Sequence, residues 1–137
     1  MKQMWSTVTC LLAAAVLLGG TQPALAESAT QAQPIERAKV CMLDDMVQTT
    51  PGIEHKVAGK TYYVCCPGCT KKMDAEPERY TKAHDPVTGQ TVDKSTAPVV
   101  AYKEKAYFFA SQDAQAAFTK DPERYVKSAS GQEGEKP

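Results

Sequence analysis

Two stretches of this chain are copies of one another. Residues 59–80 (GKTYYVCCPGCTKKMDAEPERY) and 104–125 (EKAYFFASQDAQAAFTKDPERY) align without a gap at an offset of 45. Tyr62 matches Tyr107, Tyr63 matches Phe108, Met73 matches Phe118, and Pro-Glu-Arg-Tyr recurs at 77–80 and 122–125. A repeat of this kind restricts the fold to two similar small units, neither of which can bury a sufficient core alone.

Each copy carries the same local signals. Glu54 to Val57 and Thr61 to Val64 read as strands around an Ala58-Gly59-Lys60 turn. Pro98 to Tyr102 and Ala106 to Phe109 do the same around Lys103-Glu104-Lys105. A short helix is expected after each hairpin. Pro67 suits a first helical turn, Ser111 an N-cap, and Asp113 the positive end of the helix dipole. Pro77 and Pro122 are expected to end these helices. The fold class is therefore α+β, with two tandem ββα units at 38–82 and 83–127 packed together. Tyr62, Met73, Tyr107, Phe109 and Phe118 are the expected shared core. Each Pro-Glu-Arg-Tyr is expected to fix a helix exit by packing its Tyr on the hairpin.

The flanks differ in character. Lys2, the apolar run Val8 to Leu18 and Ala24-Leu25-Ala26 form a secretory signal pattern, with cleavage expected after Ala26. The run is about half the ~20 residues that span a bilayer, so no membrane insertion is expected after cleavage. This places the protein in the periplasm or outside the cell. Residues 27–37 and 128–137 are small, polar and aperiodic, and read as an unstructured lead-in and tail. The 16 Lys and Arg balance 16 Asp and Glu, which leaves no basic footprint for nucleic acid.

Removing 26 residues from 137 leaves 111, with four cysteines: Cys41, Cys65, Cys66 and Cys69. Three of them lie where a strand runs into a helix, at spacings of three and four that share a helix face. A helix N-terminus favours thiolates and is expected to lower their pKa. The second copy holds Thr88, Ala110, Ser111 and Ala114 at the corresponding positions, so the thiols are chemistry added to a scaffold that forms without them.

Three uses of the thiols compete. They form a site for a soft or borderline ion, copper(I) or zinc(II), with Met42, Met46, Met73, His55 and His84 as possible additional ligands. Alternatively, Cys66-Pro67-Gly68-Cys69 is the C-x-x-C of a thiol–disulfide oxidoreductase, although a repeated ββα unit is not the βαβ fold of that class. In the third use, two disulfides staple a small interaction module. No Ser/His/Asp set, carboxylate pair or phosphate loop points to an enzyme.

The run Gly59 to Cys69, closing in Glu76-Pro77-Glu78-Arg79-Tyr80, resembles the YHS/TRASH group of metal-binding modules. His84-Asp85-Pro86-Val87-Thr88-Gly89, with Lys105 to Ser111, looks like the same module with its cysteines replaced. The resemblance covers nearly all of the foldable chain. It implies treble-clef-like units acting in heavy-metal sensing, trafficking or copper handling, with Cys41, Cys65 and Cys69 as ligands and a metal-donor or metal-acceptor protein as partner. Cys66 departs from the pattern, which has Ser there. It adds either a fourth ligand or a disulfide partner for Cys69.

Overall fold

The computed structural model describes residues 31–130, and for 128–130 the backbone alone. The expected signal sequence and most of the expected tail lie outside the described residues. In chain order come β1 (Gln33–Pro34), a 3-10 turn (Arg37–Lys39), β2 (Val40–Cys41), β3 (Met46–Val47), β4 (Ile53–Val57), β5 (Lys60–Val64), α1 (Pro67–Ala75) and α2 (Pro77–Thr81). Then follow β6 (Lys82–His84), β7 (Thr91–Asp93), β8 (Val99–Tyr102), β9 (Lys105–Phe108), α3 (Gln112–Lys120) and α4 (Pro122–Ser130). The chain is α+β, with small antiparallel sheets and four helices among the described residues.

Both halves of the repeat give a hairpin followed by two helices, as the 45-residue offset requires. The turns are one residue tighter than expected. Val57 pairs with Lys60 and Tyr102 with Lys105, which leaves two-residue turns at Ala58-Gly59 and Lys103-Glu104. All four turn residues have positive φ, 49° and 78° in the first turn and 48° and 65° in the second. This geometry matches the twist of the strands but strains residues with a Cβ. Glu104→Gly is therefore expected to stabilise the protein by about 0.5–1 kcal/mol, measured by urea unfolding.

Pro77 and Pro122 end one helix and begin another. Glu76 (φ −133°, ψ 63°) and Asp121 (φ −147°, ψ 72°) break the helical path, and each Pro then takes the first position of a new helix, where its missing N–H costs nothing. The Pro-Glu-Arg-Tyr segments are thus helices in their own right. The second one runs to Ser130, past the expected start of the tail at 128. The lead-in is also partly structured. Gln33 and Pro34 pair with Ala101 and Val100, Ala32 is buried, and Arg37 donates to the carbonyls of Thr96 and Ala97 at 2.7 and 2.6 Å.

The two halves interlock. β2 and β3 belong by sequence to the first copy, yet β3 pairs with β9 of the second, giving a five-stranded sheet in the order β1-β8-β9-β3-β2. Met46 opposes Lys105, the Val47 N–H donates to Glu104 O at 2.8 Å, and the Ala106 N–H donates to Asp45 O at 2.7 Å. The β8-β9 hairpin is buried on both faces. Val99, Ala106 and Phe108 face a core made with Val40, Cys41, Met42, Tyr62, Val64, Cys69 and Met73. Val100, Tyr102 and Phe109 face a second core with Ala114 and Phe118. The expected single core is therefore two, because adjacent residues of a strand point to opposite sides. Tyr107 lies at the edge of the second core, and Phe108 fills the first in its place.

Asp93 ties the halves together from the end of β7. It accepts from Lys60 Nζ (2.7 Å), Tyr62 OH (2.9 Å), Lys82 Nζ (3.3 Å) and both the N–H and hydroxyl of Ser95. Burial opposes its ionisation, but the hydrogen bonds from Lys60, Ser95 and Tyr62 outweigh it and hold the carboxyl far below its ordinary range. A depressed carboxyl contributes stability that is present above the ordinary carboxylate pKa and is lost as pH falls towards the folded value. Unfolding free energy is expected to fall below about pH 4. Asp93→Asn is expected to cost about 2 kcal/mol at pH 7 and to flatten that acid limb, read from urea titrations at several pH values.

Candidate metal centre

The site is assembled from two places in the sequence. β5 ends at the buried Val64, so Cys65 follows at the strand terminus. Cys66, extended at φ −156° and ψ 161°, is the N-cap of α1, and Pro67 opens the helix. The first helical turn, closed by the Cys69 N–H on Cys66 O at 3.0 Å, brings Cys69 back over Cys65. Cys41 arrives from β2. The Met42 N–H bonds Tyr63 O at 2.8 Å, and Cys41 Sγ accepts the Cys65 N–H at 3.4 Å.

The sulfurs of Cys41, Cys65 and Cys69 lie within 4.8 Å of one another, and Cys65 Sγ is 3.5 Å from Cys69 Sγ. Metal–sulfur bonds of about 2.3 Å in tetrahedral geometry separate sulfurs by about 3.8 Å. The triad fits one ion with only small side-chain adjustment. Cys41 and Cys69 are buried and Cys65 is exposed, so the cluster has a closed side and an open one. The four cysteines among the described residues are free thiols. This cluster can hold a metal ion.

Cys66 stands apart from the triad. Its sulfur is 3.2 Å from Cys69 Sγ but does not belong to the mutually close group. Among the supplementary candidates, Met42 and Met73 are fully buried in the core shared with Cys41 and Cys69, and Met46 pairs across the strands with Cys41. His55 Nε2 meets Asp74 Oδ1 at 2.7 Å, and His84 Nδ1 meets the Thr91 hydroxyl at 3.4 Å. Both imidazoles thus have other partners.

The expected lowering of thiol pKa holds for Cys66 alone. The hydrogen bond from Cys69, helped by the amide N–H of the same residue, pulls Cys66 down. Burial pushes Cys41 up against the pull of the Leu43 and Cys65 amides. Burial and the interaction with Cys66 push Cys69 up. At Cys65 the hydrogen bond with Cys41 lowers the pKa, but Cys69, burial and Cys66 together raise it further. Desolvation and crowding of sulfurs thus outweigh the helix end. A cation placed among the sulfurs reverses that balance, so binding releases protons.

The second copy shows what the scaffold needs when thiols are absent. Ala110 and Ala114 stand for Cys65 and Cys69, and Ser111 caps α3 by accepting the Ala114 N–H at 3.2 Å. The counterpart of Cys41 by hydrogen bonding is Asp85, not the expected Thr88. The amide of Ala110 donates to Asp85 Oδ2 at 2.9 Å, as that of Cys65 donates to Cys41 Sγ. Asp85 Oδ1 takes the Val87 N–H at 2.8 Å, and Oδ2 takes the Thr88 hydroxyl at 2.8 Å. A buried carboxylate with these bonds does the structural work of the thiol. Asp85 stands in the His84-Asp85-Pro86-Val87-Thr88-Gly89 motif, three residues before the Thr88 that the repeat places opposite Cys41.

Lys94 has a role that the sequence does not mark. Its side chain is buried, and Nζ donates to Met42 O at 2.8 Å and Asp45 Oδ1 at 2.5 Å. It bridges the turn that follows Cys41, and no local pattern marks a lysine that acts 52 residues away. Compared with family models, curated proteins and solved structures, the chain matches none. Among the described residues no helix is long and apolar enough to cross a membrane.

Proposed function

We propose that this chain binds one soft or borderline metal ion, copper(I) or zinc(II), through the thiolates of Cys41, Cys65 and Cys69. It acts in trafficking, delivery or sensing of that metal and not as an enzyme. The observation that carries this reading is the convergence of three sulfurs within 4.8 Å from segments 24 residues apart in sequence. An exposed Cys65 beside two buried thiols leaves an open side, which suits exchange with a donor or acceptor protein. The repeat and its motifs support tandem YHS/TRASH-like, treble-clef-like modules, the second lacking ligands. The N-terminal signal pattern supports action in the periplasm or outside the cell.

The test is a thiol count and elemental analysis of the mature chain purified without oxygen. One copper or zinc per chain is expected. Two stable disulfides with no metal would overturn the reading in favour of a stapled module.

A further inference from the structure

Cys66 has no role in anything described so far. It lies outside the sulfur triad, and the second copy fills its position with a serine. Its sulfur lies 3.2 Å from Cys69 Sγ. Within this pair Cys69 is buried and Cys66 half-exposed, so an incoming molecule reaches Cys66, while the more exposed Cys65 is engaged as a ligand of the proposed metal.

We propose that Cys66 and Cys69 form a dithiol that reacts with small-molecule disulfides such as oxidised glutathione, and that this reaction expels the metal by removing Cys69 from its ligands. The inference rests on the proposed metal site. In the first step the Cys66 sulfur, having given up its proton, attacks one sulfur of the external disulfide. The external S–S bond breaks, one thiolate leaves, and a mixed disulfide remains on Cys66. In the second step the Cys69 sulfur leaves the metal and attacks Cys66. The mixed disulfide breaks and the second thiolate leaves. The protein pair loses two electrons and the external disulfide gains them. Of the two protons the leaving thiolates take up, one replaces that lost by Cys66 and the other comes from solvent. A zinc ion then keeps only Cys41 and Cys65, too few thiolates to hold it tightly.

The test uses the mature chain loaded with zinc under anaerobic conditions and then exposed to oxidised glutathione. Zinc release is followed with a chromogenic chelator, and the disulfides formed are mapped by peptide mass. Cys66→Ser is the comparison, and its serine has a folded precedent in Ser111. The expected result is one zinc per chain in both proteins, a Cys66–Cys69 disulfide in the wild type, and release at least about tenfold slower in Cys66→Ser. Equal release rates, or a disulfide joining Cys65 to Cys69, would overturn the proposal. So would loss of zinc from unoxidised Cys66→Ser, which would make Cys66 a ligand. A wild type that takes up no zinc would instead defeat the metal reading itself.

Discussion

Cys69→Ser is expected to weaken zinc binding by at least about 100-fold. Perturbing groups that merely orient metal ligands already costs 10–100-fold, and this substitution removes a thiolate from a set of three. Cys69 is the shared member of the cluster, 3.5 Å from Cys65 and 3.2 Å from Cys66. Its loss leaves Cys41 and Cys65, and a serine hydroxyl does not ionise to replace the missing sulfur. The fold is expected to survive, because the equivalent position of the second copy is Ala114 and its helix forms. Competition with a chromophoric chelator gives the affinity, and far-ultraviolet circular dichroism checks the fold. Affinity within threefold of the wild type would remove Cys69 from the site.

Phe118→Ala is expected to cost about 3–5 kcal/mol, the largest effect on stability of any single substitution considered. Phe118 is fully buried at the centre of the second core. Its ring lies 4.9 Å from Tyr107, 5.2 Å from Phe109, 6.1 Å from Tyr102 and 6.2 Å from Tyr125, the Tyr102 contact being edge-on. Truncation therefore removes transfer energy, opens a cavity and breaks four ring contacts. The matched residue in the first copy is Met73, which packs in the other core beside Cys69. Aromatic packing stabilises the copy that has no thiols. Because the β8-β9 hairpin also walls the first core and pairs with β3, the loss is expected to unfold both halves in one transition. Urea unfolding followed by tyrosine fluorescence measures it. A cost below about 1 kcal/mol, or two separate transitions, would contradict this packing.

The repeat made both hairpins and the helices after them readable, since local patterning set at one copy could be checked against the other. The details that escaped are those decided by geometry or distance. A two-residue turn and a three-residue turn look alike in Lys103-Glu104-Lys105 until cross-strand pairing is known. Pro77 and Pro122 signal a helix end and a helix start with the same chemistry. The strand β3 joins β9 because of tertiary fit, which no periodicity within residues 38–82 encodes. The clustering of Cys65, Cys66 and Cys69 was legible from spacing. The separation of Cys66 from the triad was not, because it depends on where Cys41 enters from β2. The raised pKa of Cys41 and Cys69 likewise follows from burial, which outweighs the helix end visible in the sequence.

The central claim is that Cys41, Cys65 and Cys69 bind one metal ion together. X-ray absorption at the metal edge of the loaded protein addresses this directly. For zinc, the expected first shell contains three sulfurs at about 2.3 Å, with the fourth position taken by a lighter atom. A shell made of oxygen and nitrogen alone would contradict the account.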